Sequence, residues 1–302
     1  MEMFNPAVAK ERIGHLKKSS ALDPLRDVER YFLKQAKKYK IDTSYDVLAG
    51  EIPYFHTIAY TEYATCFMMH PLNLDIRLNQ IMEASQDTES KELNFAEYFA
   101  SNIKNKIANK YQDRETDFER YRDVDNLVVL PGSNKLKSNT CLNKLAYVKK
   151  LHGDNVYFKP HPITTHTVVG ELKDKFGEEM VLPRDIDMYY FLEKADKIYS
   201  SHITESTIYA AALGKDIEPI DVYNGIERGS FYHVNKFIFE QRENPIPWIN
   251  RTLSSYKSGI ICPQIEENWE EKLDNYLEYI FAKREQYKYW FIDERTKKTM
   301  KF

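Results

Sequence analysis

The chain has 302 residues, of which 42% are hydrophobic and 29% charged, and its formal net charge is -3. This length exceeds what one compact core usually holds, and so predicts two domains. The lack of an excess of basic residues argues against a nucleic-acid-binding protein. Three cysteines without a CxxC pair argue against a disulfide framework and against a zinc site. No signal-peptide pattern and no apolar run of about eighteen residues is found, so we expect a cytoplasmic protein without a transmembrane segment.

Residues 1–125 are predicted to form an N-terminal domain. Residues 21–40 read as an amphipathic helix, because Leu25, Val28, Phe32 and Ala36 recur at a spacing of three to four. Further along, the sequence predicts a strand at 45–50, and an apolar run at 56–69 that fits either a helix or a strand. It then predicts a helix at 92–111, and the charged run at 112–125 is typical of a solvated helix end or linker.

From Asn126 onward, short apolar strands alternate with helices. This alternation predicts a parallel sheet flanked by helices, as in a Rossmann-like domain over 126–265. The last strand contains Pro219, which indicates a sheet edge. The predicted strands are 127–131, 156–158, 180–182, 197–199 and 217–221, and the predicted helices are 140–151, 168–176, 187–195 and 204–213. Residues 266–302 form a third segment, in which 266–291 is expected to be a long amphipathic helix.

Polar residues follow three of these strands. The carboxyl ends of parallel strands form a crevice in which ligands bind. After the first strand, Gly132, Ser133 and Lys135 lie in a strand–helix loop, whose N–H groups and positive helix start favour a diphosphate. An ordinary strand–helix turn explains the same residues equally well.

The second and fourth strands end in more specific patterns. Lys159-Pro-His161-Pro162 has two prolines that stiffen the chain, and this fixes where His161 points. Its imidazole can donate a hydrogen bond to a phosphate oxygen or a base carbonyl. The fourth strand leads into Ser200, Ser201, Thr204 and Glu205. Plain helix N-capping accounts for one or two of these residues, while Glu205 can accept hydrogen bonds from ribose hydroxyls.

The sequence from Leu127 onward resembles the nucleotide-binding domain of GT-B glycosyltransferases, nearest to the bacterial capsule-polysaccharide and sialyltransferase-like group. The likeness rests on His161-Pro162, which matches the HP motif of that group, and on Ser200-Ser201, which matches its paired-serine motif. The resemblance implies two Rossmann-like domains that face a cleft, with a C-terminal helix crossing back to the N-terminal domain. The acidic-acidic-Gly motif of the group is not found, and Ala49-Gly-Glu51 is the nearest acidic candidate.

The resemblance implies metal-independent glycosyl transfer from a UDP- or CMP-linked sugar to an acceptor hydroxyl, with no bound cofactor. A carboxylate or imidazole of the N-terminal domain would take the acceptor proton, with Glu51 and His56 as first candidates and Glu62 and Asp75 after them. Charge that develops on the leaving phosphate would be stabilised by the strand-end residues Lys135, Lys159, His161, Ser200 and Ser201.

Three alternatives remain open at this point. A phage-type enzyme of the same fold would glycosylate hydroxymethylcytosine in DNA, so that the acceptor would be modified DNA rather than a glycan. A nucleotide-sugar 2-epimerase would share the donor pocket. A module that had lost its base would bind nucleotides without turnover. The sequence does not define the oligomeric state.

Overall fold

A computed structural model of the chain describes residues 23–39, 49–52, 55–58, 66–71, 73–105, 121, 124–132, 136, 139–162, 164–227, 229, 231–283, 292–293 and 298–299. At 49–58, 139–141, 189, 292–293 and 298–299 the description covers the backbone alone.

The N-terminal part combines helices with an antiparallel sheet. Its elements are α1 (Asp23–Ala36), β1 (Ala49–Ile52), β2 (Phe55–Ile58), β3 (Phe67–Pro71), α2 (Leu74–Ser85) and α3 (Phe95–Lys104). Helix α1 is confirmed, since the four apolar residues that predict it are all fully buried. The run at 56–69 contributes to two strands, β2 and β3, and the predicted strand at 45–50 is described only where β1 begins.

The antiparallel pairing of these strands differs from the parallel sheet that the resemblance implies for the N-terminal domain. Strand β2 pairs antiparallel with both β1 and β3. Only residues 53–54 and 59–66 join the three strands. A parallel crossover needs a dozen or more residues, so these short connections permit only antiparallel neighbours.

The second part is the predicted α/β unit. It contains β4 (Asn126–Val129), α4 (Asn139–His152), β5 (Tyr157–Lys159), α5 (His166–Phe176), α6 (Met188–Lys194), β6 (Lys197–Ser200), α7 (Ser206–Ala212) and β7 (Asp216–Pro219). The four strands are parallel in the order β5-β4-β6-β7, which confirms the parallel sheet and puts Pro219 on an edge strand.

The predicted strand at 180–182 is wrong. A 3₁₀ turn occupies Glu178–Met180, and Val181 makes a single parallel bridge to Phe158. The reversal at Gly177, with φ 98°, starts this turn directly after α5. Contact with β5 is thereby limited to the Val181 bridge and to the Leu182 N–H, which donates to the Phe158 carbonyl at 2.9 Å.

The C-terminal part returns to the antiparallel sheet. After α8 (Tyr232–Glu240) and α9 (Pro245–Ser254), strand β8 (Ile260–Ile261) pairs with β3, and α10 (Trp269–Ala282) packs on α1. The Tyr276 hydroxyl donates to the Met69 carbonyl at 2.9 Å. The rest of the helix predicted to Phe291 lies beyond the described residues, apart from Lys283. Two short strands, β9 (Ile292–Asp293) and β10 (Lys298–Thr299), pair antiparallel.

A continuous apolar cluster joins the two sheets. It contains Met68 of β3 and Ile260 of β8 together with Leu127 of β4 and Ile198 of β6. Helices α3, α7 and α9 supply the side chains between them, and Phe99 meets Tyr209 edge to face at 5.3 Å. The two sheets therefore share one hydrophobic core in the described part of the chain.

Candidate functional site

A cavity of about 190 Å³ lies where β4, β5 and β6 end. Strands β4 and β5 follow each other in the sequence and are adjacent in the sheet. The chain then passes to the other side of β4 to form β6. Ligands of open α/β sheets bind at such a switch in strand order, outside the carboxyl ends of the strands. The cavity is lined by Val129, Leu130, Pro131, Gly132, Lys159, Pro160, His161, Pro162, Met188, Ile203, Thr204, Glu205 and Ser206.

His161 lies in a tight turn after β5 and lines this cavity. The Thr164 N–H donates to the His161 carbonyl at 2.8 Å, and Pro162 occupies the second position of the turn, where its fixed φ is favoured. Thr165 follows the turn, and its hydroxyl caps α5 by accepting the Val168 N–H. His161 is partly exposed.

Lys159 holds this turn in place. Its buried ammonium donates to the carbonyls of Pro160 and Arg184, both at 2.8 Å. Arg184 in turn donates to the Thr164 carbonyl at 2.9 Å, which closes a network around the turn. These contacts account for the ammonium within the protein, and a direct role of Lys159 toward a phosphate stays a prediction.

The paired serines make internal hydrogen bonds. The Ser200 hydroxyl lies 2.8 Å from the Thr207 hydroxyl, and the Ser201 hydroxyl donates to the Asp221 carboxylate at 2.5 Å. Both serines are buried, and neither is among the residues that line the cavity. The structure therefore brings His161 to the cavity without the two hydroxyls that the sequence predicts beside it.

Asp221 organises the loop that follows β6. Its carboxylate accepts hydrogen bonds from the His202 N–H at 3.1 Å and from the His202 ring at 2.7 Å. Burial raises the pKa of Asp221, but the hydrogen bonds from His202 and Ser201 outweigh burial, and the pKa is lowered overall. A carboxylate only accepts, so Nδ1 of His202 carries the hydrogen. Sequence reasoning missed this role of Asp221, for which its position after the edge strand is the only signal.

Asn235 of α8 holds the same loop from the other side. Its amide donates to the carbonyls of His202 and Thr204, each at 2.8 Å, and the residue is fully buried. The loop held in this way presents Thr204 and Glu205 to the cavity, and Glu205 is partly exposed there. No sequence pattern indicates Asn235, because its partners are carbonyls of a distant segment.

Of the remaining predicted site residues, one lines this cavity, and the others are not among its lining residues or lie outside the described residues. Gly132 lines the cavity, whereas Ser133 and Lys135 are not among the described residues. Glu51 and His56 occupy opposed register positions on β1 and β2, and His56 is also opposed to His70 of β3. Neither is among the lining residues, and their side chains lie outside the description.

Comparisons with known proteins do not assign the chain to a family. Within the described ranges, no helix is long and apolar enough to cross a membrane, and no group of three or more His, Cys, Asp or Glu is arranged to hold a metal ion. No protein-family model matches the chain, and no curated protein or solved structure matches it significantly.

Proposed function

We propose that this chain transfers a glycosyl group from a nucleotide-activated sugar to an acceptor hydroxyl. The observation that carries this function is the cavity at the switch in strand order, lined by His161 on one strand end and Glu205 on another. An imidazole suits the phosphates of an activated sugar, and a carboxylate suits the hydroxyls of its ribose.

The enclosed volume suits the phosphates. About 190 Å³ is less than the roughly 300–1,000 Å³ of pockets that enclose a whole drug-sized ligand. We therefore assign the cavity to the diphosphate or monophosphate and adjacent ribose, with base and sugar extending beyond it. The His161 ring donates to a phosphate oxygen as the bond between that oxygen and the anomeric carbon breaks, which stabilises the charge on the leaving nucleotide.

The acceptor is assigned to the N-terminal part. The acceptor oxygen forms the new bond to the anomeric carbon and gives its proton to a base, for which Glu51 is our first candidate and His56 the second. Their opposed positions on β1 and β2 put the two candidates on the same face of the antiparallel sheet. The facing of two domains across a cleft, as the resemblance implies, belongs to the same proposal.

A thermal-shift panel of UDP-, CMP-, GDP- and dTDP-sugars tests donor binding. A ligand that binds only the folded state raises the melting temperature by mass action, by an amount equivalent to about 2.7 kcal/mol at a hundred times Kd. We expect one nucleotide to give such a shift, and His161→Ala to lose it while the ligand-free melting temperature changes little.

His166→Ala is the matched control, because His166 is exposed on the same segment and is not among the cavity-lining residues. It removes a 2.9 Å contact between the His166 ring and Arg184, while the bond from Arg184 to the Thr164 carbonyl comes from its other terminal nitrogen and stays in place. It should keep the nucleotide-induced shift.

A large fall in the ligand-free melting temperature of His161→Ala would make His161 structural. Binding without nucleotide release in the presence of acceptors would favour a non-catalytic module, and interconversion of the donor without acceptor would favour an epimerase.

A further inference from the structure

Two of the three cysteines, far apart in the sequence, lie opposite each other in the fold. Strands β3 and β8 pair antiparallel with Phe67 opposite Ile261 and Met68 opposite Ile260. Continuing this register by one residue places Cys66 opposite Cys262. Both cysteines are fully buried in the apolar cluster that joins the two sheets.

The alternation of hydrogen bonds along the two strands makes Cys66 and Cys262 a closely spaced pair. The Met69 N–H donates to the Gly259 carbonyl at 2.7 Å, so that pair is a hydrogen-bonded position. Bonded and non-bonded pairs alternate in an antiparallel ladder, which makes Cys66 and Cys262 a non-bonded pair. The Cys262 N–H accordingly donates elsewhere, to the Glu266 carboxylate at 2.5 Å.

Non-bonded pairs have the spacing that a disulfide needs. Their Cα atoms lie about 4.5 Å apart, which falls within the range of roughly 4.4–6.8 Å found in disulfides. The Cys66 side chain is close enough to the Cys262 thiol to raise its pKa. The bond between the sulfurs can therefore form with small side-chain rotations and without displacing either strand.

We propose that Cys66 and Cys262 form an intramolecular disulfide when the chain meets a small-molecule disulfide such as oxidised glutathione. One cysteine thiolate attacks the small disulfide and releases one small thiol. The second cysteine thiolate then attacks the mixed disulfide and releases the other. The protein loses two protons and two electrons in total, and the small disulfide is reduced to two thiols.

The closed structure protects the pair from this reaction. Burial, followed by the neighbouring Cys66 side chain, raises the pKa of the Cys262 thiol well above its usual value. Because the thiolate is the reactive form, exchange in the folded chain is slow. The cross-link therefore forms as the chain folds or opens, and it then ties β3 to the segment that carries α10.

Refolding in a redox buffer tests the disulfide. The full chain carrying Cys141→Ser is refolded from denaturant in a mixture of reduced and oxidised glutathione, its remaining thiols are alkylated, and its peptides are mapped by mass spectrometry. We expect the peptides of Cys66 and Cys262 to be linked. Closing so long a loop should raise the melting temperature by about 5–10 °C, reversed by dithiothreitol.

The unsubstituted chain, Cys66→Ser and Cys262→Ser complete the test. In the unsubstituted chain the same link should dominate over links to Cys141, and each serine variant should lack both the link and the rise. Refolded chains that stay reduced or carry only glutathione overturn the inference. So do a dominant link to Cys141 and a cross-linked chain that melts below its reduced form.

Discussion

His233 is a buried histidine that the structure keeps neutral. It lies on α8, its Nδ1 is 2.7 Å from the Tyr223 hydroxyl, and its side chain is almost fully buried. Burial, followed by the positive charges of Arg77 and Lys236, lowers its pKa to about 3. An imidazolium is thus strongly disfavoured in the folded chain.

This lowered pKa predicts acid destabilisation between about pH 6.5 and pH 3. The unfolded chain binds a proton at His233 near pH 6.5, whereas the folded chain binds it only near pH 3, so the unfolded state holds more protons in this window. We expect the free energy of unfolding to fall by up to about 1.4 kcal/mol per pH unit as the pH drops through it. Urea unfolding at several pH values measures this slope.

His233→Gln should flatten the slope, since glutamine does not titrate. His166→Gln is the control for replacing an exposed histidine, and it should change the slope less than His233→Gln does. An identical slope in wild type and His233→Gln would show that His233 is not the group responsible.

At the scale of elements, α8 determines the shape of the loop between β6 and α7. Asn235 is the contact, because both amide hydrogens are donated to carbonyls of that loop. Asn235→Ala leaves the buried His202 carbonyl without its donor, at a cost of about 1–3 kcal/mol. It also removes one of two donors from the Thr204 carbonyl, which keeps the Thr207 N–H at 3.2 Å. We expect a loss of about 2–4 kcal/mol in unfolding free energy and a smaller nucleotide-induced shift in melting temperature.

Asn250→Ala separates these two effects. Asn250 on α9 accepts the Ala96 N–H at 2.9 Å, so its removal also destabilises the fold, but it is not among the contacts of the loop. The nucleotide shift should therefore persist in Asn250→Ala. If Asn235→Ala is folded before heating and still shows the full nucleotide-induced rise in melting temperature, Asn235 contributes to stability alone.

The sequence predicts elements best where apolar residues carry the periodicity. Helix α1 and the strands of the parallel sheet have this pattern, and both are confirmed. The sequence pattern does not predict helices α2 and α8, because polar side chains occupy part of their buried faces. Arg77 and Gln80 are buried on α2, and His233 and Asn235 on α8, so the amphipathic pattern is obscured.

The candidate site is predictable in its place but not in the orientation of its side chains. Strand ends follow from the alternation of elements, and His161 is held by a turn within its own segment. Ser201, in contrast, is turned toward Asp221, which follows a different strand. A partner so distant in the chain leaves no mark on the local sequence, and therefore the paired serines could not be excluded from the cavity in advance.

At the scale of the whole molecule, the shared core predicts joint unfolding of the two sheets. Domains joined by small polar interfaces unfold separately, whereas one apolar cluster couples the units that contribute to it. Side chains of β3, β4, β6 and β8 belong to one cluster here. We expect a single calorimetric transition, with equal calorimetric and van't Hoff enthalpies, and two resolved transitions would contradict this coupling.

The shared core also links the candidate site to the rest of the chain. The cavity lies on the parallel sheet, while the proposed base lies on the antiparallel sheet, and the common core holds the two sheets in one arrangement. Substrate binding at the cavity should therefore stabilise the whole chain against unfolding, rather than one part of it.

A crystal structure of the chain with uridine diphosphate or cytidine monophosphate tests the central claim most directly. We predict phosphate oxygens in the cavity at the ends of β4, β5 and β6, within hydrogen-bond distance of the His161 ring, and ribose hydroxyls at Glu205. A nucleotide bound elsewhere, or an empty cavity at saturating nucleotide, would contradict the account.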